Sequence, residues 1–258
     1  MPLYHHIEEL PAGFMPRRMV SLVPSQTEWL YALGLEEEVV GITKFCIHPN
    51  HWFRQKTRVG GTKTVDMEKV AALSPDLVIA NKEENIEGQV LALAEKYPVW
   101  LTDVNTVKEA LMMMKDLAAI TGKQKIGAVL LQEIENSLAT WQPLGENKSA
   151  LYLIWREPFM AAGDDTFIHS MLETMGLKNV LTGKKRYPEL SPEELISLAP
   201  DYILLSSEPY PFKQKHLDEI SEWLPHSKVL LVDGEIFSWY GSRMLHAVPY
   251  FRALAEQL

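Results

Sequence analysis

Short apolar runs alternate with amphipathic stretches along the chain, and this order predicts an α/β fold with parallel sheets. The runs are rich in Val, Ile and Leu and are typical of buried strands. They lie at residues 19–23, 39–43, 76–80, 98–103, 150–155, 201–207 and 228–233. Amphipathic or polar stretches between them have the spacing of helices that pack on a sheet.

Several helix ends are marked by capping residues. Ser25 precedes Glu28 by three positions, as in a capping box, and Gly34 is the expected residue just beyond that helix. Asp66 and Ser191 stand directly before two further helical stretches, VDMEKVAAL and SPEEL, and are predicted to be their N-caps.

One segment of the chain is nearly repeated. Residues 73–80 read LSPDLVIA and residues 198–205 read LAPDYILL, an offset of 198 − 73 = 125 residues. An L-x-P-D turn between a helix and a strand could arise by chance. The elements on either side of the two copies follow the same order, however, which favours a duplication. We therefore expect two similar α/β lobes, each built around one copy.

The middle of the chain, residues 106–141, is strongly helical with one interruption at Thr121-Gly122. Its second part, 123–141, would be about 28 Å long at 1.5 Å per residue. We expect this single long backbone helix to join the lobes. The predicted ranges are 15–104 for the first lobe, 105–147 for the connecting segment and 148–258 for the second lobe.

Composition excludes some functions. The formal net charge of −9 argues against a nucleic-acid binder or a protein that binds anionic membranes, since both need a basic face. No apolar run reaches the ~18–20 residues of a membrane span. Residues 1–14 lack a basic segment followed by an apolar one. We expect either a cytoplasmic protein or an exported protein whose leader has been removed.

Motifs for chemistry are missing from the sequence. It contains no glycine-rich nucleotide loop, no nucleophile elbow and no zinc-protease motif, so we expect a protein that is not an enzyme. Cys46 and His48, with His51 nearby, could bind a soft metal, but one loop with three such residues is weak evidence and we assign no metal site. Asp164-Asp165 could act as an acid/base pair or as a helix cap.

Aromatic residues follow the predicted strands in both halves. They are Phe45, Trp155, Phe159, Tyr187, Trp239 and Tyr240. Ligands of open α/β sheets bind beyond the carboxyl ends of the strands, and aromatic faces there suit a flat or apolar ligand. In the alternative interpretation each ring packs onto its own lobe. We favour the ligand interpretation for the set.

Three segments resemble a known family: RMVSLVPSQTEWLYALGLEEEVVGIT, VGGTKTVDMEKVAALSPDLVIANKEEN and DGEIFSWYGSRM. They are similar to the class III periplasmic binding proteins, the cobalamin, haem and ferric-siderophore receptors of ABC importers, and most of all to the cobalamin branch. The similarity extends from about residue 17 to the end. It implies two Rossmann-like α/β lobes bridged by a single long helix, with a metal-containing ligand held between them and delivered to an ABC permease. It also implies a periplasmic or extracytoplasmic location. We expect a monomer without a cofactor of its own.

The resemblance also implies roles for individual residues. The ligand would contact Ser25, Gln26, Phe45, Thr62, Lys63, Trp155, Phe159, Tyr187, Trp239, Tyr240 and Arg243. Lys63 or Arg243 could meet its carboxylates, amides or phosphate. Glu68 and Glu193, separated by the same offset, 193 − 68 = 125, would dock on permease arginines. Alternatively, both are first-turn glutamates favoured by the helix dipole.

Two questions stay open at this point. The segment KFCIHPNH stands where cobalamin receptors offer an aromatic ring, so a corrinoid, a haem-like ring and a ferric chelate are all compatible with the sequence. The same scaffold could also serve a cytoplasmic enzyme or a chaperone that handles a metal cofactor, because a fold does not fix a function.

Overall fold

A computed structural model describes residues 3–144 and 148–258. The chain divides into two compact units. Unit 1 comprises Met1–Val104, Lys108–Glu135 and Gly241–Arg243, and unit 2 comprises Asn105–Val107, Asn136–Tyr240 and Met244–Leu258. The lobe ranges given above stay predictions, and residues 145–147 of the connecting segment lie outside the described residues.

Unit 1 alternates strands and helices as the sequence pattern predicts. Its elements are β1 (Leu3–Tyr4), a 3-10 helix (Ile7–Glu9), β2 (Met19–Ser21), α1 (Pro24–Ala32), β3 (Val39–Ile42), α2 (Asn50–Gln55), β4 (Thr57–Arg58), α3 (Met67–Leu73), β5 (Leu77–Asn81), α4 (Glu87–Ala94) and β6 (Val99–Thr102).

The sheet of unit 1 is parallel. Its strand order is β1-β6-β5-β2-β3-β4, and each neighbouring pair runs in the same direction. The central strand β5 is buried along its whole length, because helices and loops cover both faces of a parallel sheet. Strand β1 adds an edge that the sequence pattern does not predict: Leu3 pairs with Val99 and Tyr4 with Trp100.

Two helix ends of unit 1 are as predicted and one is not. Asp66 caps α3 by accepting a hydrogen bond from the Lys69 backbone N–H (3.1 Å), and Gly34 follows α1 with a positive φ of 74°. The capping box predicted at Ser25 is wrong. The N-cap is Val23, and Pro24 occupies the first turn, where its fixed φ is favourable and its missing N–H costs nothing. Ser25 is thereby a buried residue inside the helix.

Helices α5 (Val107–Ile120) and α6 (Gln124–Ala139) confirm the interruption predicted at Thr121-Gly122. A Cβ added at Gly127 of α6 would lie 2.5 Å from the Ala118 Cβ of α5, so only glycine permits this approach. The division between the units falls inside α6, after Glu135. Among the helices formed by residues 3–144 and 148–258, none is both long enough and apolar enough to cross a membrane.

Unit 2 follows a similar order of elements. They are β7 (Ser149–Trp155), β8 (Phe159–Ala161), α7 (Phe167–Met175), β9 (Lys178–Asn179), β10 (Glu189–Leu190), α8 (Pro192–Leu198), β11 (Tyr202–Ser206), α9 (Gln214–Trp223), β12 (Lys228–Val232), α10 (Gly234–Ser238), a 3-10 helix (Ser242–His246) and α11 (Ala247–Ala255).

The sheet of unit 2 has the predicted parallel pairing at its centre and antiparallel strands at one edge. Strand β11 lies between β7 and β12 and is parallel to both, and β9 also pairs with β7 in parallel. Strands β8 and β10 are antiparallel to their neighbours, in the order β10-β8-β7. The short segment 156–158, in which Glu157 has a φ of +64°, reverses the chain directly after β7 and leaves no room for a crossover helix.

The two copies of the repeated segment have the same conformation. In each, a helix ends in a left-handed residue, Ser74 with φ 45° after α3 and Ala199 with φ 40° after α8. The chain then enters a strand with parallel neighbours on both sides, β5 in unit 1 and β11 in unit 2. The repeat is therefore the helix-turn-strand unit at the centre of each sheet.

Candidate functional site

Three of the predicted ligand residues of unit 1 are buried. Ser25, Gln26 and Thr62 are 6%, 0% and 7% exposed. The Gln26 Nε2 donates to the Thr102 Oγ1 at the end of β6 (2.6 Å), and the Thr62 carbonyl accepts from Asn85 (3.0 Å). These contacts tie together loops at the carboxyl ends of the strands, and the ligand roles stay predictions.

Phe45 is the predicted ligand ring of unit 1, and it is exposed. It lies on the loop after β3 with 49% of its surface exposed, and the Lys44 Nζ lies 5.1 Å from its ring centroid. The neighbouring Cys46 is fully buried, and its Sγ contacts the Thr27 Oγ1 (3.1 Å) and the Thr43 Oγ1 (3.2 Å). Ile47 points out again and is 41% exposed. Cys46 thus anchors a loop that presents two apolar side chains.

On the loop of the weak metal candidates Cys46 and His48, the contacts of Cys46 and of the nearby His51 are defined. Burial raises the pKa of the Cys46 thiol, which keeps it protonated and a poor metal ligand. His51 instead faces the Glu36 carboxylate (3.4 Å) and the edge of the Tyr31 ring. Over residues 3–144 and 148–258 the structure brings together no set of three or more His, Cys, Asp or Glu side chains that could hold a metal ion.

Both cationic ligand candidates contact acceptors within unit 1. The Lys63 Nζ donates to the Glu83 carbonyl. Arg243 forms a two-point salt bridge with Glu28, with the Nε 3.1 Å from one carboxylate oxygen and the Nη2 3.0 Å from the other. Both side chains are mostly buried, at 14% and 19% exposed. An anionic group of a ligand would compete with Glu28 for this guanidinium.

Trp155 and Phe159 flank the hairpin turn of unit 2 and have opposite environments. Trp155 ends β7, is 39% exposed and meets the Tyr210 ring edge-on, with 5.6 Å between centroids. Phe159 begins β8, is 6% exposed and packs in the core against Trp223. The structure therefore places Phe159 among the core residues, because the first residue of β8 points to the inner face of the sheet. Its ligand role stays a prediction.

Trp239 and Tyr240, which follow α10, are largely covered at 8% and 6% exposed. The Trp239 Nε1–H donates to the Glu208 Oε1 (2.7 Å), and the Tyr240 ring meets Phe167 edge-on at 5.5 Å. Tyr187 is half-buried in the segment between β9 and β10. Trp155 is thus the most exposed of the predicted rings in unit 2.

The loop 207–213, between β11 and α9, was missed by the sequence analysis although it contacts both tryptophans. Glu208 binds Trp239, and Tyr210 packs on Trp155. The pKa of Glu208 is raised, mainly because its carboxyl group is buried. The carboxylates of Glu235 and Asp233 raise it further, whereas the hydrogen bonds from Ser238 and Trp239 act in the opposite direction. The stretch SSEPYPF, polar and aromatic directly after a strand, was the available signal.

Glu68 and Glu193 are both exposed and occupy the second position of α3 and α8. Within the described residues the Glu68 carboxylate has no hydrogen bond or ion pair. Glu193 accepts from its own backbone N–H and from the Ser191 hydroxyl (2.8 Å), which lowers its pKa. Capping is performed by Asp66 in α3 and by Ser191 with Glu194 in α8. Neither Glu68 nor Glu193 is therefore the capping residue of its helix, although both stay in the first turn, where the helix dipole favours a carboxylate.

Comparison with known sequences gives a family. Residues 19–223 match the family described as periplasmic binding protein. The ABC transporter substrate-binding lipoprotein YvrC of Bacillus subtilis is 27% identical over 94% of this chain and 80% of its own length. A vitamin B12-binding protein of Pectobacterium carotovorum is 22% identical over 90% of this chain and 86% of its own length.

Solved structures share the fold. The periplasmic vitamin B12-binding protein BtuF of Vibrio cholerae superposes with a TM-score of 0.75 at 20% identity, covering 94% of this chain and 99% of its own. The periplasmic haem-binding protein BhuT, in complex with two haems, superposes with a TM-score of 0.78 at 22% identity, covering 94% and 98%. The family match over residues 19–223 extends from β2 to the end of α9. This chain therefore belongs to the periplasmic binding protein family.

Proposed function

We propose that this protein is the solute-binding component of an ABC importer and that it captures a metal-containing ligand outside the cytoplasm. The ligand is a corrinoid such as cobalamin, or alternatively haem or a ferric siderophore. The proposal rests on the family match over residues 19–223, together with relatives of similar length that are named as vitamin B12-binding proteins.

The exposed rings support this ligand class. Phe45 follows β3 in unit 1, Trp155 is the last residue of β7 in unit 2, and both rings are partly exposed. A tetrapyrrole or corrin ring is broad and apolar on its faces, so it gains packing energy against such side chains. The binding step needs no acid, base or nucleophile.

Delivery would use Glu68 and Glu193, one in each unit. We expect each carboxylate to meet an arginine of a permease subunit, because both are exposed and neither is needed to cap its helix. Such charge pairs at the rim of an interface set orientation and encounter rate more than affinity. The monomeric state stays a prediction.

The test is titration of the purified protein with cyanocobalamin, haemin and a ferric hydroxamate siderophore, followed by calorimetry. One of the three should bind with a Kd in the micromolar range or below, and the Phe45→Ala/Trp155→Ala variant should bind it at least about tenfold more weakly. Tyr31→Ala is the matched control, because Tyr31 is an equally exposed ring (41%) on α1. Failure of all three ligands to bind saturably would refute the proposed function.

A further inference from the structure

Glu208 is held rigidly at the carboxyl end of β11. Its Oε1 accepts hydrogen bonds from the Trp239 Nε1–H (2.7 Å) and from the Ser238 hydroxyl (2.8 Å). Its carbonyl accepts from the Ser206 hydroxyl (2.5 Å). A Cβ at Gly234 would lie 2.6 Å from the Glu208 Cγ, so the side chain also packs against the start of α10. The position of this carboxylate is therefore fixed by its surroundings.

The two oxygens of this carboxylate differ. Both donors meet Oε1, whereas Oε2 forms no hydrogen bond with any residue of 3–144 or 148–258. Glu208 also has no ion pair with a cation in these residues, and the carboxylates of Glu235 and Asp233 raise its pKa further. A half-buried carboxylate that has other carboxylates nearby attracts hydrogen-bond donors and repels anions.

We infer that Glu208 is a specificity-determining residue of the proposed ligand site: Oε1 orients the indole of Trp239, and Oε2 accepts a hydrogen bond from an amide N–H or hydroxyl of the ligand. This inference rests on the proposed function. A corrinoid carries amide groups around its ring, whereas haem carries two carboxylates. Glu208 therefore favours the corrinoid, and it disfavours a ligand with a carboxylate at this point by like-charge repulsion.

The first test compares cyanocobalamin with its individual monocarboxylic acids, in which one ring amide is hydrolysed, and with haemin. The protein should bind at least one monocarboxylic acid about tenfold more weakly than cyanocobalamin, which corresponds to about 1.4 kcal/mol. Glu208→Gln keeps the shape and removes the charge, so it should reduce that ratio to below about threefold and strengthen haemin binding. Ser238→Ala removes one donor to Oε1 without changing the charge, and should keep the ratio. Identical ratios in the Glu208→Gln variant and the parent protein would overturn the inference.

The second test needs no ligand. In protein labelled with ¹⁵N-tryptophan, the Trp239 indole N–H should exchange slowly, and Glu208→Ala should speed its exchange at least about tenfold. Glu208→Gln, which keeps an acceptor oxygen, should largely preserve the protection, and Trp239→Phe assigns the resonance. Unchanged exchange in Glu208→Ala would refute the orienting role. If none of the probes binds, the proposed function and the selectivity inference both fail, while this exchange measurement still decides whether Glu208 orients Trp239.

Discussion

Asp76 and Asp201, at equivalent positions of the two repeated segments, fix the neighbouring strand in the same way. The Asp76 carboxylate accepts the backbone N–H groups of Arg17 (2.7 Å) and Arg18 (2.9 Å), which lead into β2. The Asp201 carboxylate accepts the backbone N–H and the hydroxyl of Ser149, the first residue of β7 (both 2.8 Å). The aspartate of each L-x-P-D turn thus sets the start of the strand beside the central one.

This arrangement predicts how stability depends on acid. The Ser149 backbone N–H and hydroxyl, together with Lys148, lower the pKa of Asp201 to about 2. Because the folded pKa lies below the unfolded one, the contribution is complete above the unfolded pKa of about 3.9 and is lost as pH falls towards about 2. Asp201→Asn should cost about 1 kcal/mol at pH 7 and flatten the stability curve below pH 4.

Urea denaturation at several pH values between 2 and 7 measures this effect. Asp218→Asn, a change at an exposed carboxylate on α9, serves as the control and should leave the curve nearly unchanged. An Asp201→Asn curve parallel to that of the parent protein over the acid range would contradict the prediction.

The two aromatic residues beside the unit 2 hairpin should respond oppositely to truncation. Phe159→Ala opens a cavity in the core and should lower the free energy of unfolding by about 3–5 kcal/mol. Trp155→Ala removes an exposed ring and should cost under about 1 kcal/mol, while it weakens ligand binding by about 1–3 kcal/mol. Thermal melts and calorimetric titrations separate the two. A strongly unstable Trp155→Ala variant would instead mark that ring as part of the core.

The Cys46 thiol should be unreactive in the folded protein. Its thiol is fully buried and burial raises its pKa, so the thiolate is scarce and unreachable. A chromogenic disulfide reagent should react slowly in the native state, at a rate limited by opening of the loop, and should modify one equivalent rapidly only in denaturant. Zinc added in the native state should not slow this reaction. Fast modification without denaturant, or protection by zinc, would restore Cys46 as a metal-ligand candidate.

Charge reversal at Glu68 and Glu193 should separate docking from capping. The double change to lysine should greatly reduce ligand transfer to a permease in proteoliposomes, each single change should do less, and the ligand Kd should stay within about twofold. Glu87→Lys is a matched control, since Glu87 is also an exposed first-turn glutamate, on α4. Glu194→Lys removes the capping box of α8 and should lower only the melting temperature. Normal transfer by the double variant would exclude the docking role.

The central strands and the helices around them were predictable because their signals are local. The apolar runs of β5 and β11 and the caps at Asp66 and Ser191 depend on neighbouring residues. The features that the sequence did not reveal depend on contacts between residues that are far apart along the chain. The turn after β7 determines which residues of β8 face the core, and it therefore determines the orientation of Phe159. The Glu208–Trp239 hydrogen bond joins residues that are 31 positions apart, and no local sequence pattern predicts it.

Strand β1 covers one edge of the sheet of unit 1, beside β6. By pairing with Val99 and Trp100, Leu3 and Tyr4 cover the hydrogen-bonding groups along the outer side of β6. Without Leu3 and Tyr4, the short and apolar strand β6 would become the edge of the sheet. An open edge of this kind is the usual template for β-pairing between molecules. Shortening the protein to residue 15, where the sequence pattern places the first lobe, should therefore cause concentration-dependent aggregation before it affects ligand capture.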